Sequence, residues 1–322
     1  MTRLSYARAI ALALGEAMDA DGRVFVLGED VAHGGAYGAT QGLLGRFGPE
    51  RVRDTPISEA AIVGYSLGAA LAGMRPVAEI MHMDFIACAM DQVVNQAAKV
   101  RYMSGGRAGA PLVIRTGAGG WLSAAAQHSQ SLEAWFTHVP GIKVVTAGTP
   151  ADARAVLRAA IADENPVLVI ESLSLYERQD EVPEEPGEYR LGTAEIKRAG
   201  SDATVVTWGA MVPRALEAAG ELAAEGVQVE VVDLKSLRPW DQATVLASVE
   251  RTNRAVVAHQ AHRHGGFGAE VAATIAERAF DHLDAPVARV GSLDVPVPFS
   301  PPLEEYVLPS AGRIAEAVRG LA

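Results

Sequence analysis

Lys143-Val144-Val145-Thr146, then Pro150 to Ala162, then Val167-Leu168-Val169-Ile170-Glu171 form the stretch on which the fold turns. The outer segments are β-branched apolar runs of strand length, and the middle one is Ala-rich and helical. Strand, helix and strand in so short a span read as parallel strands joined by a crossover. The same alternation extends both ways. Upstream, Tyr6 to Asp19 sets Ala7, Ile10, Ala11 and Leu14 on one helical face. Val24 to Gly28, Pro76 to Met81 and Pro111 to Arg115 read as strands, and Asp84 to Tyr102 as one long helix. Downstream, strands are expected at Thr204–Trp208, Val227–Leu234, Ala255–His259 and Val287–Val290, with Pro213 in the first turn of a helix. The fold class is α/β, with largely parallel sheets covered on both faces.

Periodicity breaks between Glu177 and Tyr189, where acidic residues accompany Pro183 and Pro186. This divides the 322 residues into a first domain, 1–176, a linker, 177–190, and a second domain, 191–322. No repeat or low-complexity tract interrupts either. The net charge of −11 is shared, −6 over residues 1–190 and −5 over 191–322, so no basic patch invites nucleic acid. No apolar run reaches membrane-span length. One cysteine, Cys88, cannot close a disulfide within the chain. The start, Met1 to Tyr6, lacks a signal peptide's apolar core, and a cytoplasmic protein is expected.

Four groups could carry chemistry. Asp54-Thr55-Pro56-Ile57-Ser58-Glu59 opens a small-residue helix. There Ser58 could cap the helix with Glu59 facing its dipole. Alternatively, Glu59 presents a carboxyl on a strand-to-helix turn, where open α/β sheets take ligands. His128, in Ala125-Ala126-Gln127-His128-Ser129-Gln130-Ser131, follows Gly117-Ala118-Gly119-Gly120. It reads either as a solvated loop residue or as an acid–base group. His259, His262 and His264 lack a carboxylate or thiolate at zinc-site spacing, which argues against a metal. Gly265-Gly266-Phe267-Gly268 reads as a glycine turn packing strand against helix rather than a dinucleotide fingerprint. On the helix from Asp84, the polar face of Asp91, Gln92, Asn95, Gln96 and Lys99 suits either water or a wet subunit interface.

Taken in order, several segments carry a resemblance. They are Gly28-Glu29-Asp30-Val31, Phe47 to Val52, Asp54 to Glu59, Asp91 to Gln96, Arg101 to Gly106 and His128-Ser129-Gln130, then Leu234 to Asp241, Gly265 to Glu270 and Asp294 to Phe299. The chain resembles the beta subunits of the thiamine-diphosphate-dependent first component of 2-oxo acid dehydrogenase complexes. The resemblance implies a pyrimidine-binding domain followed by a transketolase-type C-terminal domain. It implies an α2β2 heterotetramer with an alpha subunit and a lipoyl-bearing acyltransferase as further partner. In that family alpha holds the diphosphate through Mg²⁺, and beta holds the aminopyrimidine. This chain also lacks the Gly-Asp-Gly that opens the metal–diphosphate site, Ala20-Asp21-Gly22 being nearest.

By the same resemblance, Glu59 is the carboxyl group that exchanges a proton with the pyrimidine nitrogen. Phe85 packs on the ring, and Glu29, Ile57, Ser58 and Met81 complete the beta-side contacts. His128 binds substrate and helps pass the acyl group to lipoamide. Leu112, Ala160, Ile161, Asp163 and Asn165 match a structural potassium site of hard oxygen donors. Met81-His82 and Ala125 to Glu133 look most like the acetoin branch, with pyruvate and branched-chain 2-oxo acids as the other substrates. His82 is expected to hydrogen-bond a substrate oxygen. The alternatives are a non-catalytic assembly subunit and a transketolase-like enzyme. The loop 121–131 is expected to be mobile in the isolated chain, because Gly117, Gly119 and Gly120 leave its backbone unconstrained.

Overall fold

Strand formation follows the β-branched runs closely. The computed structural model describes residues 1–321 except Pro186, the second linker proline, which lies outside the described residues. The chain divides into two units, one of Met1–Ala118 with Trp135–Leu191, the other of Gly119–Ala134 with the residues from Gly192 on.

In the first unit, strands β1 (Thr2–Ser5), β2 (Val24–Gly28), β3 (Val52–Asp54), β4 (Arg75–His82), β5 (Val113–Ala118), β6 (Lys143–Thr146), β7 (Val167–Ser172) and β8 (Gln179–Val182) appear in chain order. The main sheet runs β6-β7-β5-β4-β2-β3, and every one of these pairings is parallel. β1 and β8 form a separate antiparallel pair, so part of the expected linker is strand. Helix Tyr6–Ala20 buries Ala7, Ile10, Ala11 and Leu14 as its periodicity requires, and Ser5 caps it by accepting from Arg8 N–H. It packs on helix Pro150–Ala162, capped by Thr149 with Pro150 in its first turn.

The expected long helix from Asp84 is three pieces instead. Met83–Ala89 is 3₁₀, Asp91–Ala97 is π-helical and Val100–Met103 is a single α turn. In the π segment Asp91 accepts from Asn95 Nδ2 at 2.8 Å and from Gln96 Nε2 at 3.4 Å. π-segments are frequent at functional sites.

The second unit holds β9 (Glu195–Arg198), β10 (Ala203–Thr207), β11 (Val229–Asp233), β12 (Ser236–Arg238), β13 (Ala255–His262) and β14 (Ala288–Ser292). Its sheet runs β14-β13-β10-β11-β9, parallel except for antiparallel β9. Helices Met211–Ala224 and Ala311–Arg319 cover it with Met211, Ala215, Leu222, Ile314 and Val318. Among the described residues no helix is long and apolar enough to cross a membrane.

Candidate active site

Parallel strands deliver their following residues to one edge of a sheet, and β4-β2-β3 are neighbours. Glu29 follows β2, Ile57, Ser58 and Glu59 follow β3, Met81 and His82 end β4, and Phe85 comes three residues later. The seven therefore gather at the carboxyl edge of three adjacent strands. Glu59 begins helix Glu59–Leu71; Ser58 occupies the capping position but makes no side-chain capping bond. The simple helix-initiation reading thus loses its main hydrogen bond, while Glu59 keeps its place at the positive helix end. Burial pushes the Glu29 carboxyl up, and the negative charges of Glu59, Asp30 and Glu79 push it further. Such crowding favours a carboxyl that holds a proton.

Two features beside Glu59 suit a flat heterocycle with ring nitrogens. The Thr55 hydroxyl is buried with no hydrogen-bond partner among the described residues, and Ile57 stands 81% exposed. An orphaned polar atom and an open apolar surface lie two residues apart. These residues fit an aminopyrimidine.

His82, at the end of β4, is buried and paired with Tyr37. A register shift between Ile80 and His82 in the β4–β5 ladder re-aims its side chain. The ring is 4% exposed, and its Nε2 is 2.9 Å from the Tyr37 hydroxyl, with Phe85 edge-on at 5.5 Å between centroids. Tyr37, 42% exposed, is thus the accessible end of the pair. Sequence reasoning missed it. The signal was an aromatic residue inside Gly34-Gly35-Ala36-Tyr37-Gly38, a segment held where Gly35 N–H donates to Asp30 O at 3.0 Å.

Beneath the edge lies a buried ion network. Arg115 on β5 donates Nε and Nη2 to the two Glu171 oxygens on β7, both at 2.8 Å, and Nη1 to Glu79 on β4 at 2.6 Å. Tyr176 donates its hydroxyl to Glu171 at 2.5 Å. A cavity of about 10 Å³, room for one water, is lined by Tyr37, Glu79, Met81, Thr116 and Glu171 among others.

His128 is carried by the second unit, on the segment 119–134. That segment is not left loose by its glycines. Gly119 N–H donates to Gln130 O at 3.1 Å, closing the loop. Its Trp121, Leu122 and Ser123 N–H groups donate to Glu304. The expectation of an unconstrained backbone overlooked this tether, whose partner lies more than 180 residues away.

Residues 2–179 match the family profile described as transketolase, pyrimidine binding domain, and residues 192–314 that of transketolase, C-terminal domain. The beta subunit of acetoin:2,6-dichlorophenolindophenol oxidoreductase from Cupriavidus necator is 46% identical over 98% of this chain and 97% of its own. The beta subunit of the pyruvate dehydrogenase E1 component from Rhizobium meliloti is 44% identical over 100% of this chain and 70% of its own. The 2-oxoisovalerate dehydrogenase subunit beta of Bacillus subtilis is 42% identical over 100% and 99%. A solved split-gene transketolase chain, from an inactive beta4 tetramer, superposes with a TM-score of 0.81 at 26% identity, covering 99% of this chain and 98% of that one.

The chain belongs to the beta-subunit family of thiamine-dependent 2-oxo acid and acetoin dehydrogenase first components. These are oxidoreductases, and the two-domain transketolase-like fold is theirs.

The nearest match to the family's metal–diphosphate motif is Ala20-Asp21-Gly22. Asp21, in the nearest sequence match, is held by Arg23, whose Nη2 and N–H lie 2.7 and 2.9 Å away. Those bonds bring the Asp21 carboxyl down to about 2. The residues expected to hold potassium lie at the opposite sheet edge, before β5 and β7. Leu112 O accepts from Val167 N–H, and Ile161 O and Asp163 O accept from Arg75 Nη1 at 2.9 and 3.2 Å. Ala160 O accepts from Asp163 N–H, Lys143 pairs with the Asp163 carboxylate, and Arg101 donates to Asn165 Oδ1 at 2.8 Å. A potassium ion would share these oxygens through their second lone pairs.

The histidine trio disperses. His259 turns into the core, stacked on Trp208 at 5.2 Å, while His262 Nδ1 is 2.7 Å from Leu293 O. Among the described residues, no three metal-ligating side chains gather. Gly268 is needed because a Cβ there would strike the His259 ring, as the packing-turn reading requires.

Proposed function

We propose that this chain holds the aminopyrimidine half of thiamine diphosphate in an enzyme that cleaves acetoin or a short 2-oxo acid and acylates a lipoyl group. The observation that carries it is the convergence of Glu29, Ile57, Glu59 and Phe85 on one sheet edge. When bound, the cofactor supplies a nucleophilic carbon and an electron sink. Glu59 would hold a proton against the ring nitrogen and exchange it. Phe85 and Ile57 orient the ring, and Ser58 and Met81 border it. His128 binds substrate oxygen and moves a proton as the acyl group leaves for lipoamide. An alpha subunit supplies the Mg²⁺ and diphosphate contacts in an α2β2 assembly, and potassium lends structural support at Leu112, Ala160, Ile161, Asp163 and Asn165.

Whole-chain identity does not choose the substrate, since acetoin, pyruvate and 2-oxoisovalerate relatives span only 42–46%. Acetoin is favoured by Met81-His82 and the segment around His128. The Tyr37–His82 pair gives His82 an indirect role, through the Tyr37 hydroxyl. A second reading, a transketolase-like enzyme built from two chains, draws on the solved split-gene transketolase. Its 26% identity against 42–46% favours the dehydrogenase.

Calorimetric titration of thiamine diphosphate with Mg²⁺, into the chain alone and into the chain with its alpha subunit, tests this. Binding by the mixture only is expected. Tight binding by the lone chain refutes the half-site, and binding by neither points to a non-catalytic assembly subunit.

A further inference from the structure

We propose that Glu304 is the positioning residue of the His128 loop, its carboxylate being the anion around which the backbone of residues 121–123 is wrapped. The proposal rests on the reading of His128 as the acyl-transfer histidine. Three non-glycine residues of the loop, Trp121 (φ 67°), Ser123 (φ 52°) and Ala125 (φ 62°), are left-handed. L-residues with side chains adopt this region at a cost, and several in one loop persist only where the surroundings hold them. Here the turn points successive N–H groups inward as an anion-binding nest. Trp121 and Leu122 donate to Glu304 Oε1 at 2.8 and 3.3 Å, and Ser123 donates to Oε2 at 3.0 Å.

The occupant is equally dependent on the nest. Glu304 is 3% exposed, on helix Pro301–Val307, and among the described residues no cation pairs with it. A buried carboxylate without a counter-charge requires donors, and among the described residues these three amides supply them. Neighbouring groups fit the same purpose. A Cβ on Gly120 would come within 2.7 Å of Leu308 and 3.1 Å of Glu304 Oε1, so glycine lets the carboxylate approach. Arg214 lies 3.8 Å over the Trp121 ring, which packs on the second unit's core and clamps the loop's first turn. The far end returns to the start through Gly119 and Gln130, and His128 N–H donates to Ala125 O at 3.4 Å. The imidazole's backbone therefore inherits its place from the nest.

The test uses the enzyme assembled with its alpha subunit, comparing Glu304→Ala and Glu304→Gln with His128→Ala. Hydrogen exchange of the 119–134 peptide is read beside that of β10, and kcat beside KM and thiamine diphosphate affinity. For Glu304→Ala, exchange at 121–123 is expected to rise at least tenfold with β10 unchanged. The same variant should lose at least tenfold in kcat while cofactor affinity stays within twofold. Glu304→Gln keeps one acceptor oxygen and should fall between; it is the variant read if the alanine protein does not fold. Unchanged exchange at 121–123, or an equal rise in β10, overturns the proposal. If His128→Ala keeps full activity, the reading of His128 fails while the exchange data still decide the anchor.

Discussion

Among the described residues neither ring nitrogen of His259 has a hydrogen-bond partner, and the side chain is wholly buried against Trp208. Burial first, then Arg289, His262 and Arg263, lowers its pKa to about 4. The folded chain thus keeps His259 neutral at pH values where the unfolded chain, near 6.5, protonates it. Between those values the unfolded state binds more protons, so stability is full above pH 6.5 and declines as pH falls towards 4. The full difference corresponds to about 3 kcal/mol. Thermal melts of wild type between pH 7 and 4 should show this slope, and His259→Phe, which preserves the stack, should flatten it. A slope unaltered by the substitution would mean that His259 titrates normally. In sequence, His259, His262 and His264 looked equivalent. Only the pairing of β13 shows which one the strand turns inward, and that depends on neighbours the local pattern does not contain.

Arg115 ties three neighbouring strands, meeting Glu79 on β4 and Glu171 on β7 from its place on β5. All three side chains are nearly or wholly out of water, at 1%, 11% and 2%. Removing one partner of such a cluster strands the others as uncompensated buried charge, a loss of about 3–5 kcal/mol. Arg115→Met is therefore expected to lower the urea midpoint steeply at pH 7, and adding Glu79→Gln and Glu171→Gln should recover much of the loss. A loss below about 1 kcal/mol would show that the network stabilises little. Sequence marked β5 as a strand from Pro111 to Arg115, because the apolar run stops at the charge; the structure starts it at Val113 and carries it to Ala118. The helix from Asp84 failed for a related reason. Met90, Val93, Val94, Ala97 and Ala98 read as one apolar face at more than one helical period, and local propensity does not choose the π geometry found at Asp91–Ala97.

Acidic residues and prolines break periodicity between Glu177 and Tyr189; the first family profile ends at 179, inside that stretch, and the second begins at 192. The membership of 119–134 in the second unit was not legible, since it depends on Glu304, far along the chain. That division has a kinetic consequence, because Glu59 belongs to the first unit and His128 to the second. Each is proposed to act at a different stage, Glu59 in activating the cofactor and His128 in transferring the acyl group. With the alpha subunit present, Glu59→Gln should slow deuterium exchange at the cofactor's reactive carbon by on the order of 10²–10⁴, the usual worth of a general acid–base group. His128→Ala should leave that exchange within about twofold while reducing lipoamide acylation over the same range. Because the stages are consecutive, the double variant should be limited by the slower single variant and not by the product of the two losses. Slowed deuterium exchange in His128→Ala would assign the histidine to cofactor activation, and the division of labour between the units would fall with it.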